Sequence, residues 1–320
     1  MNIFRLRSEP VPRLAPELDD VRLGRILKQL AAGRAAGPQH LQVALIEKLL
    51  RETGDQWDRR AHRTSVVAGI SAQLADHWQE QRPWDPDARL LSAMSYWERL
   101  RRASVEGAQT GVPVDPKAAL QQCLLAADLQ PLDPTPWVVA LGVSRVLRHP
   151  RNVVAHAWNQ VQQRDPWNRE ANIQLLQYLS PEENGSLAQT RSFLDERCAV
   201  MPPDTPCAGL RLAAAVQQYH RYLAQGGTVA TLEAARYWSR PDVAAHLDQA
   251  LGNLLRPEFL RHAAAVADLN NLAYALTRAG RSVEARPVFR AIRGLVTARP
   301  WSEDGDPVER FSQWHTRLLC

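Results

Sequence analysis

The chain has 320 residues, of which 45% are hydrophobic and 23% charged, an ordinary globular composition that excludes extensive disorder. At this length it can bury a large core, either in two domains or in one elongated array. The formal net charge is +5, but arginine supplies 36 of the 39 cations and lysine only Lys28, Lys48 and Lys117. Such a bias is typical of a high-GC genome and is weak evidence for nucleic-acid binding.

The N-terminus, MNIFRLRSEPVPRLAPEL, has no apolar stretch of signal-peptide length. No segment approaches the roughly 18 continuous apolar residues of a membrane span. The cysteines Cys123, Cys198, Cys207 and Cys320 form neither a C-x-x-C pair nor a zinc-ligand spacing. We therefore expect a cytoplasmic protein with reduced thiols and no membrane partner.

Helical periodicity begins near the N-terminus, where Leu23, Ile26, Leu27 and Leu30 stand at i, i+3, i+4 and i+7. Alternating strand patterns and short hairpin turns are missing from the sequence. These patterns predict an all-α fold. Residues 1–115 are expected to form irregular helical hairpins without a clean repeat.

A repeat emerges further along, because Pro131, Pro166 and Pro202 are 35 and 36 residues apart. That spacing is close to the 34-residue tetratricopeptide unit. Between the first two prolines, Gly142 lies midway through one helix, where a small residue lets a neighbouring helix approach closely, and Trp158 lies in the next helix. We expect residues 116–320 to form one continuous α-solenoid of antiparallel helix pairs.

The dipeptide Pro-Trp recurs at Pro83-Trp84, Pro136-Trp137, Pro166-Trp167 and Pro300-Trp301. Tryptophan at a helix start favours core packing over ligand stacking, since the ring buries a large area. Proline cannot continue the preceding helix, and it moves Asp165 out of α geometry. Asp165 is therefore expected to cap a helix that begins at Pro166 or Trp167.

Near the C-terminus, DLNNLAYALTRAGRSVEARPVFRAIRGL, from Asp268 to Leu295, resembles a tetratricopeptide repeat of the kinesin-light-chain type. The signature residues are the L-N-N-L-A run, a glycine and E-A-x-P. The family's structural positions correspond here to Leu272, Ala273, Gly280, Ala285 and Phe289. The closing proline, Pro300, comes about three residues late, so the second helix is expected to be lengthened.

More broadly, the chain resembles a bacterial domain family of unknown function from high-GC Gram-positive genomes. The residues that resemble it are GDQWDRRAHR, RPWDPDARLLSA, LDPTPW, RDPWNREANIQLLQYL and the pair Gly185-Ser186. A tryptophan that usually precedes that pair is replaced here by PEEN. The resemblance implies no particular activity.

Motifs for catalysis are missing from the sequence. It contains no G-x-x-x-x-G-K-[ST], G-x-G-x-x-G, H-E-x-x-H or G-x-S-x-G, and no two of its nine histidines are three or four residues apart. We therefore expect no cofactor and no metal, and the sequence argues modestly against an enzyme.

The first helix of the C-terminal repeat carries a polar stripe that is expected to be exposed, formed by Asn270, Tyr274, Thr277 and Arg278. Amides can pair with a peptide backbone, and an arginine suits a carboxylate. The resemblance implies that asparagines of this helix, Asn270 and Asn271, hold extended peptides. Alternatively, Asn271 caps or bridges within the stack while Asn270 is merely solvated.

A second polar strip is expected on the helix after Trp167, formed by Glu170, Gln174 and Gln177, with Ile173 and Leu176 facing inward. Together the two strips predict a non-catalytic module that binds a peptide or partner protein in its concave groove. A chain carrying Asn270→Ala and Arg278→Ala is expected to fold but to lose its partner.

Two alternatives stay open. One is an enzyme whose active site is assembled from distant helices, which requires a buried cluster of His, Cys, Asp or Glu around a deep pocket. The other is an arginine-mediated nucleic-acid binder, which requires a coherent basic face and strong salt dependence. Arg286, Arg290 and Arg293 offer a short basic stripe, although such a stripe is more often only solvated.

Overall fold

The computed structural model describes residues 10–33, 38–70, 72–106 and 116–319. These residues form sixteen α-helices, two short 3-10 helices and one pair of two-residue strands. The prediction of an all-α fold is confirmed. The chain divides into two compact units, Asp20–Met201 (the 20–201 unit) and Met1–Asp19 together with Pro202–Cys320 (the C-terminal unit).

The predicted boundary between residues 115 and 116 lies at the edge of residues 107–115, outside the described residues. The two compact units divide between Asp19 and Asp20 and between Met201 and Pro202. Each unit has a hydrophobic core of its own.

The described residues of the 20–201 unit form ten helices. They are α1 (Val21–Gly33), α2 (Gln39–Arg51), α3 (Trp57–Ile70), α4 (Ala72–Gln81), α5 (Pro86–Glu106), α6 (Pro116–Leu129), α7 (Thr135–Val146), α8 (Arg151–Arg164), α9 (Arg169–Tyr178) and α10 (Leu187–Val200). The long helix α5 packs against α3, α4, α6 and α7. A Cβ added to Gly142 of α7 would lie 2.7 Å from the indole of Trp97 on α5, so only glycine allows this close approach.

A buried arginine network ties the loops of this unit together. Arg60 of α3 donates to Asp133 Oδ2 at 3.1 Å and to Gln130 Oε1 at 3.1 Å, and it also pairs with Asp87. Asp133 in turn accepts the backbone N–H of Thr135 at 2.7 Å, at the start of α7. Arg60 and Asp133 are almost fully buried, so these charges hold three chain segments in one place.

The joint at Pro166-Trp167 differs from the expectation. Helix α9 begins at Arg169, and its cap is Asn168, whose side chain accepts the N–H of Ala171 at 3.0 Å. Asp165 instead ends α8 and accepts a hydrogen bond from Asn168 Nδ2 at 3.0 Å. The capping prediction for Asp165 is therefore wrong, because Pro166 and Trp167 form a turn before the helix starts.

In the part of the C-terminal unit that the structure describes there are six α-helices, two 3-10 helices and both strands. They are β1 (Arg13–Leu14), α11 (Leu210–Gln225), α12 (Gly227–Tyr237), α13 (Pro241–Leu254), the 3-10 helix Phe259–Arg261, α14 (Ala265–Arg278), α15 (Ser282–Ile292), β2 (Leu295–Val296), the 3-10 helix Trp301–Asp304 (the 301–304 helix) and α16 (Pro307–Leu319). Its core is rich in aromatic rings, including Tyr219, Tyr274, Phe289, Trp301 and Phe311.

The parallel strand pair is the feature that the sequence did not predict. Arg13 pairs with Leu295 and Leu14 with Val296, and Ala15 N–H donates to Val296 O at 3.0 Å. The prediction that the second helix of the C-terminal repeat is lengthened is also wrong. Helix α15 ends at Ile292, because Arg293 and Gly294 both adopt positive φ and redirect the chain into β2.

Candidate functional site

The last helix, α16, presents two different faces. Phe311, His315 and Leu318 are buried and pack into the core of the C-terminal unit. Next to them, a polar and aromatic stripe stands at i, i+3, i+4 and i+7, and it consists of Arg310, Gln313, Trp314 and Arg317. These four side chains line a cavity of about 460 Å³.

The opposite wall of this cavity comes from two other elements. Arg278 is the last residue of α14, and Trp301 and Asp304 belong to the 301–304 helix. Seven residues therefore line what we call the α16 groove: Arg278, Trp301, Asp304, Arg310, Gln313, Trp314 and Arg317.

The wall of the groove rests on a buried hydrogen-bond network around Asn270. Its Oδ1 accepts the indole N–H of Trp301 at 2.9 Å, while its Nδ2 donates to Val266 O at 2.9 Å and to Leu295 O at 3.0 Å. The Tyr274 ring packs edge-on against Trp301, with 5.3 Å between ring centroids. These contacts of Asn270 and Tyr274 hold the Trp301 side chain in place.

The expectation of an exposed stripe on α14 is therefore wrong for three of its members. The exposed fraction is 0% for Asn270 and Tyr274 and 5% for Thr277, whose hydroxyl donates to Tyr274 O at 2.7 Å. The face is covered because α11, β2 and the 301–304 helix pack over it. Arg278 is the member that reaches the α16 groove, while Asn271 is half-buried and does not line it.

Charges on the inner wall compensate each other. The guanidinium of Arg278 forms an ion pair with Asp304 and lies over the Tyr274 ring, 5.0 Å from its centroid. Burial raises the pKa of the Tyr274 phenol well above its usual value; the Arg278 charge opposes this shift and the nearby Asp304 carboxylate adds to it. Tyr274 is therefore neutral and acts as a packing and stacking group at physiological pH.

The two arginines of α16, Arg310 and Arg317, are positioned differently from Arg278. Arg310 Nε donates to the backbone oxygen of Asp304 at 2.8 Å. Gly305 makes room for that guanidinium, since it has φ +131 and a Cβ there would lie 3.1 Å from Arg310 Nε. Arg317 lies over the Trp314 ring, 5.1 Å from its centroid. Both cations are held against the groove wall.

The second predicted strip lies in the 20–201 unit, on α9. Gln174 is buried and donates to Glu170 Oε1 at 2.5 Å, whereas Glu170 and Gln177 are half-buried. Gln174 is therefore not available as a surface contact, and the predicted polar strip is interrupted at its centre. Leu176 faces the core as expected, and Ile173 is half-buried.

The 20–201 unit also contains a cavity, of about 640 Å³, next to the Arg60 network. Four carboxylates line its wall, namely Glu47, Asp55, Asp85 and Asp87, and all except Asp55 form an ion pair with an arginine. Burial raises the pKa of Asp87, although the Arg60 charge opposes the shift. Within the described ranges, no three His, Cys, Asp or Glu side chains are arranged to hold a metal ion.

Comparisons with protein-family models, curated proteins and solved structures give no match. Within the part of the chain that the structure describes, no helix combines the length and apolar character needed to cross a membrane.

Sequence reasoning missed most of the α16 groove, namely Arg310, Gln313, Trp314, Arg317, Asp304 and the groove role of Trp301. The i, i+3, i+4, i+7 spacing in VERFSQWHTRLL was a usable signal for one helix face. The contribution of Asp304 had no such signal, because it depends on where the 301–304 helix folds.

Proposed function

We propose that the chain is a non-catalytic interaction module and that the α16 groove binds a segment of a partner protein. The observation that carries this proposal is the stripe of Arg310, Gln313, Trp314 and Arg317 along a cavity of about 460 Å³. Tryptophan and arginine are the residues most enriched in the energetic centres of protein interfaces. Trp314 is half-buried, so one part of its ring is anchored while the rest is available.

The proposal keeps the tetratricopeptide-like arrangement as its structural framework, with α14 and α15 as the first and second helices of one repeat. Packing of α14 on α15, and of α7 on α8, supports this arrangement. The binding position moves from the middle of α14, where Asn270 and Tyr274 are buried, to its C-terminal end at Arg278. A cytoplasmic location and a peptide-like ligand belong to the same proposal.

A protein partner is favoured over a nucleic acid by the mixture of charges near the groove. Asp304 lies in the wall, and Glu309 is hydrogen-bonded to Gln313 Nε2 at 3.2 Å. A nucleic acid carries a negative charge at every backbone position and would meet these carboxylates as well as the arginines, whereas a peptide can place its charges beside the arginines alone.

A photo-crosslinking amino acid placed at Gln313 tests the proposal in the cell that makes the protein. We expect a discrete covalent adduct with a partner protein, and we expect Arg317→Glu in the same chain to abolish it. The matched control places the crosslinker at Val283 of α15, which is 79% exposed and lies outside the groove. Equal adducts at both positions, or an adduct insensitive to Arg317→Glu, would contradict the proposal.

A further inference from the structure

The charges of the α16 groove are not balanced. Arg278 and Asp304 neutralise each other as an ion pair. Arg310 and Arg317 remain, and among the residues that the structure describes neither of them forms an ion pair. The groove therefore presents two positive charges that a ligand can neutralise.

Both guanidinium groups are already oriented. Arg310 is held by the Asp304 carbonyl in the space left by Gly305, and Arg317 is held over the Trp314 ring. A cation that is fixed before binding loses less side-chain entropy when it meets an anion. Arginine also offers a planar fork that matches a carboxylate in two hydrogen bonds.

The distance between the two arginines suggests how far apart two acidic side chains of the ligand should be. They are seven residues apart on α16, which corresponds to about 10 Å along the helix axis. An extended chain rises roughly 3.3 Å per residue, so two acidic side chains about two to four residues apart would reach both arginines. The half-buried indole of Trp314 lies between them in sequence and can cover an apolar side chain of the same segment.

We propose that the ligand of the α16 groove is an acidic peptide segment, in which two carboxylates two to four residues apart pair with Arg310 and Arg317. This inference rests on the proposed function, which requires only that a partner segment occupies the groove. It adds the chemistry by which that segment is selected.

A library of synthetic nine-residue peptides, displayed on a solid support and probed with the full-length chain, tests the selection. We expect enrichment of Glu and Asp at two positions with that spacing. Arg310→Gln should remove the preference at one of these positions and Arg317→Gln at the other, because each arginine binds one carboxylate. With a selected peptide in solution, each substitution should weaken binding roughly five- to tenfold.

The control is Arg290→Gln on α15, which makes the same charge change at an exposed position outside the groove. It should leave both preferences and the affinity unchanged. A loss of binding as large as that of Arg317→Gln would show that net charge alone drives the interaction, which would overturn the inference.

Two further outcomes separate this inference from the proposed function. If the library selects neutral peptides and Trp314→Ala abolishes their binding, a peptide groove exists but the acidic selection is wrong. If no peptide is selected while a single-stranded oligonucleotide binds and is displaced by salt, both proposals fail in favour of a nucleic-acid ligand.

Discussion

The side chain of Asn270 connects the elements that form one wall of the α16 groove. Through one amide group it joins α14 to β2 and to the 301–304 helix, by hydrogen bonds to Leu295 O and from Trp301 Nε1. The residue is completely buried, so water cannot replace either bond. Its polarity serves the fold, and of the four residues in the predicted stripe Arg278 is the one that lines the α16 groove.

Asn270→Ala is expected to lower the free energy of unfolding by about 3 kcal/mol. The substitution leaves the Trp301 N–H and the Leu295 carbonyl buried without partners, and each unsatisfied group costs roughly 1–3 kcal/mol. Urea denaturation followed by tryptophan fluorescence measures the change. The matched control is Asn271→Ala, which should cost less than about 1 kcal/mol because that side chain is half-buried. Equal losses would show that the Asn270 network is not stabilising.

His220 makes the C-terminal unit sensitive to mildly acidic pH. Its ring packs against Tyr274, with 5.1 Å between centroids, and burial lowers its pKa, although Glu303 and Asp304 oppose the shift. The unfolded chain, with a His pKa near 6.5, binds the proton first as the pH falls. Stability is therefore complete above about pH 6.5 and decreases as the pH falls from there through the lowered folded-state pKa.

The variant His220→Gln should flatten this part of the stability curve. Urea midpoints measured between pH 7.5 and 5 should fall less steeply in the variant than in the wild-type chain. His77→Gln, for a histidine on α4 in the other unit, serves as the control and should keep the wild-type slope. An unchanged slope in His220→Gln would mean that the protonation of His220 is not linked to folding.

At the level of secondary structure, the helices are locally encoded but the loops between them are held by long-range charge contacts. Arg60 of α3 reaches the start of α5 through Asp87 and the start of α7 through Asp133. These residues belong to the segments GDQWDRRAHR, RPWDPDARLLSA and LDPTPW, which looked unrelated in the sequence. The structure joins them in one network of buried ion pairs.

Arg60→Met is expected to lower the free energy of unfolding by about 3–5 kcal/mol. It removes one partner of a buried charge network and leaves the carboxylate of Asp133 uncompensated. The control, Arg51→Met, breaks a surface pair with Glu47 and should cost at most about 1 kcal/mol, because the Arg51 side chain is 69% exposed. Chemical denaturation of both variants checks the difference. A double variant, Arg60→Met with Asp133→Asn, should recover part of the loss.

At the scale of the whole molecule, two compact units each have a core of their own. The C-terminal unit is built from two distant parts of the sequence, because β1 near the N-terminus pairs with β2. Arg13 N–H donates to Gly294 O at 2.9 Å, and Ala15 and Leu18 are buried. Removal of residues 1–19 therefore leaves an edge of the C-terminal unit unpaired.

The fragment Asp20–Met201 is expected to fold by itself, since it is a contiguous chain with its own core. Near-UV circular dichroism and a single cooperative urea transition would establish this. By contrast, the fragment Pro202–Cys320 should be less stable than the same fragment supplemented with a peptide of residues 10–19, because the peptide restores the strand pair. A disordered Asp20–Met201 fragment would contradict the division into two units.

The sequence by itself determined the helices, because periodicity and turn residues act within a few positions of one another. Leu23, Leu30, Gly142 and the pattern of α14 and α15 were readable in this way. Only the tertiary structure decided which helix faces are covered. Asn270 and Tyr274 stand on a stripe that looks like a surface until β2 and the 301–304 helix fold over it, and Arg310 and Arg317 face a groove only because Asp304 and Arg278 form its other wall. Burial depends on contacts between residues far apart in the chain, and such contacts leave no local periodicity in the sequence.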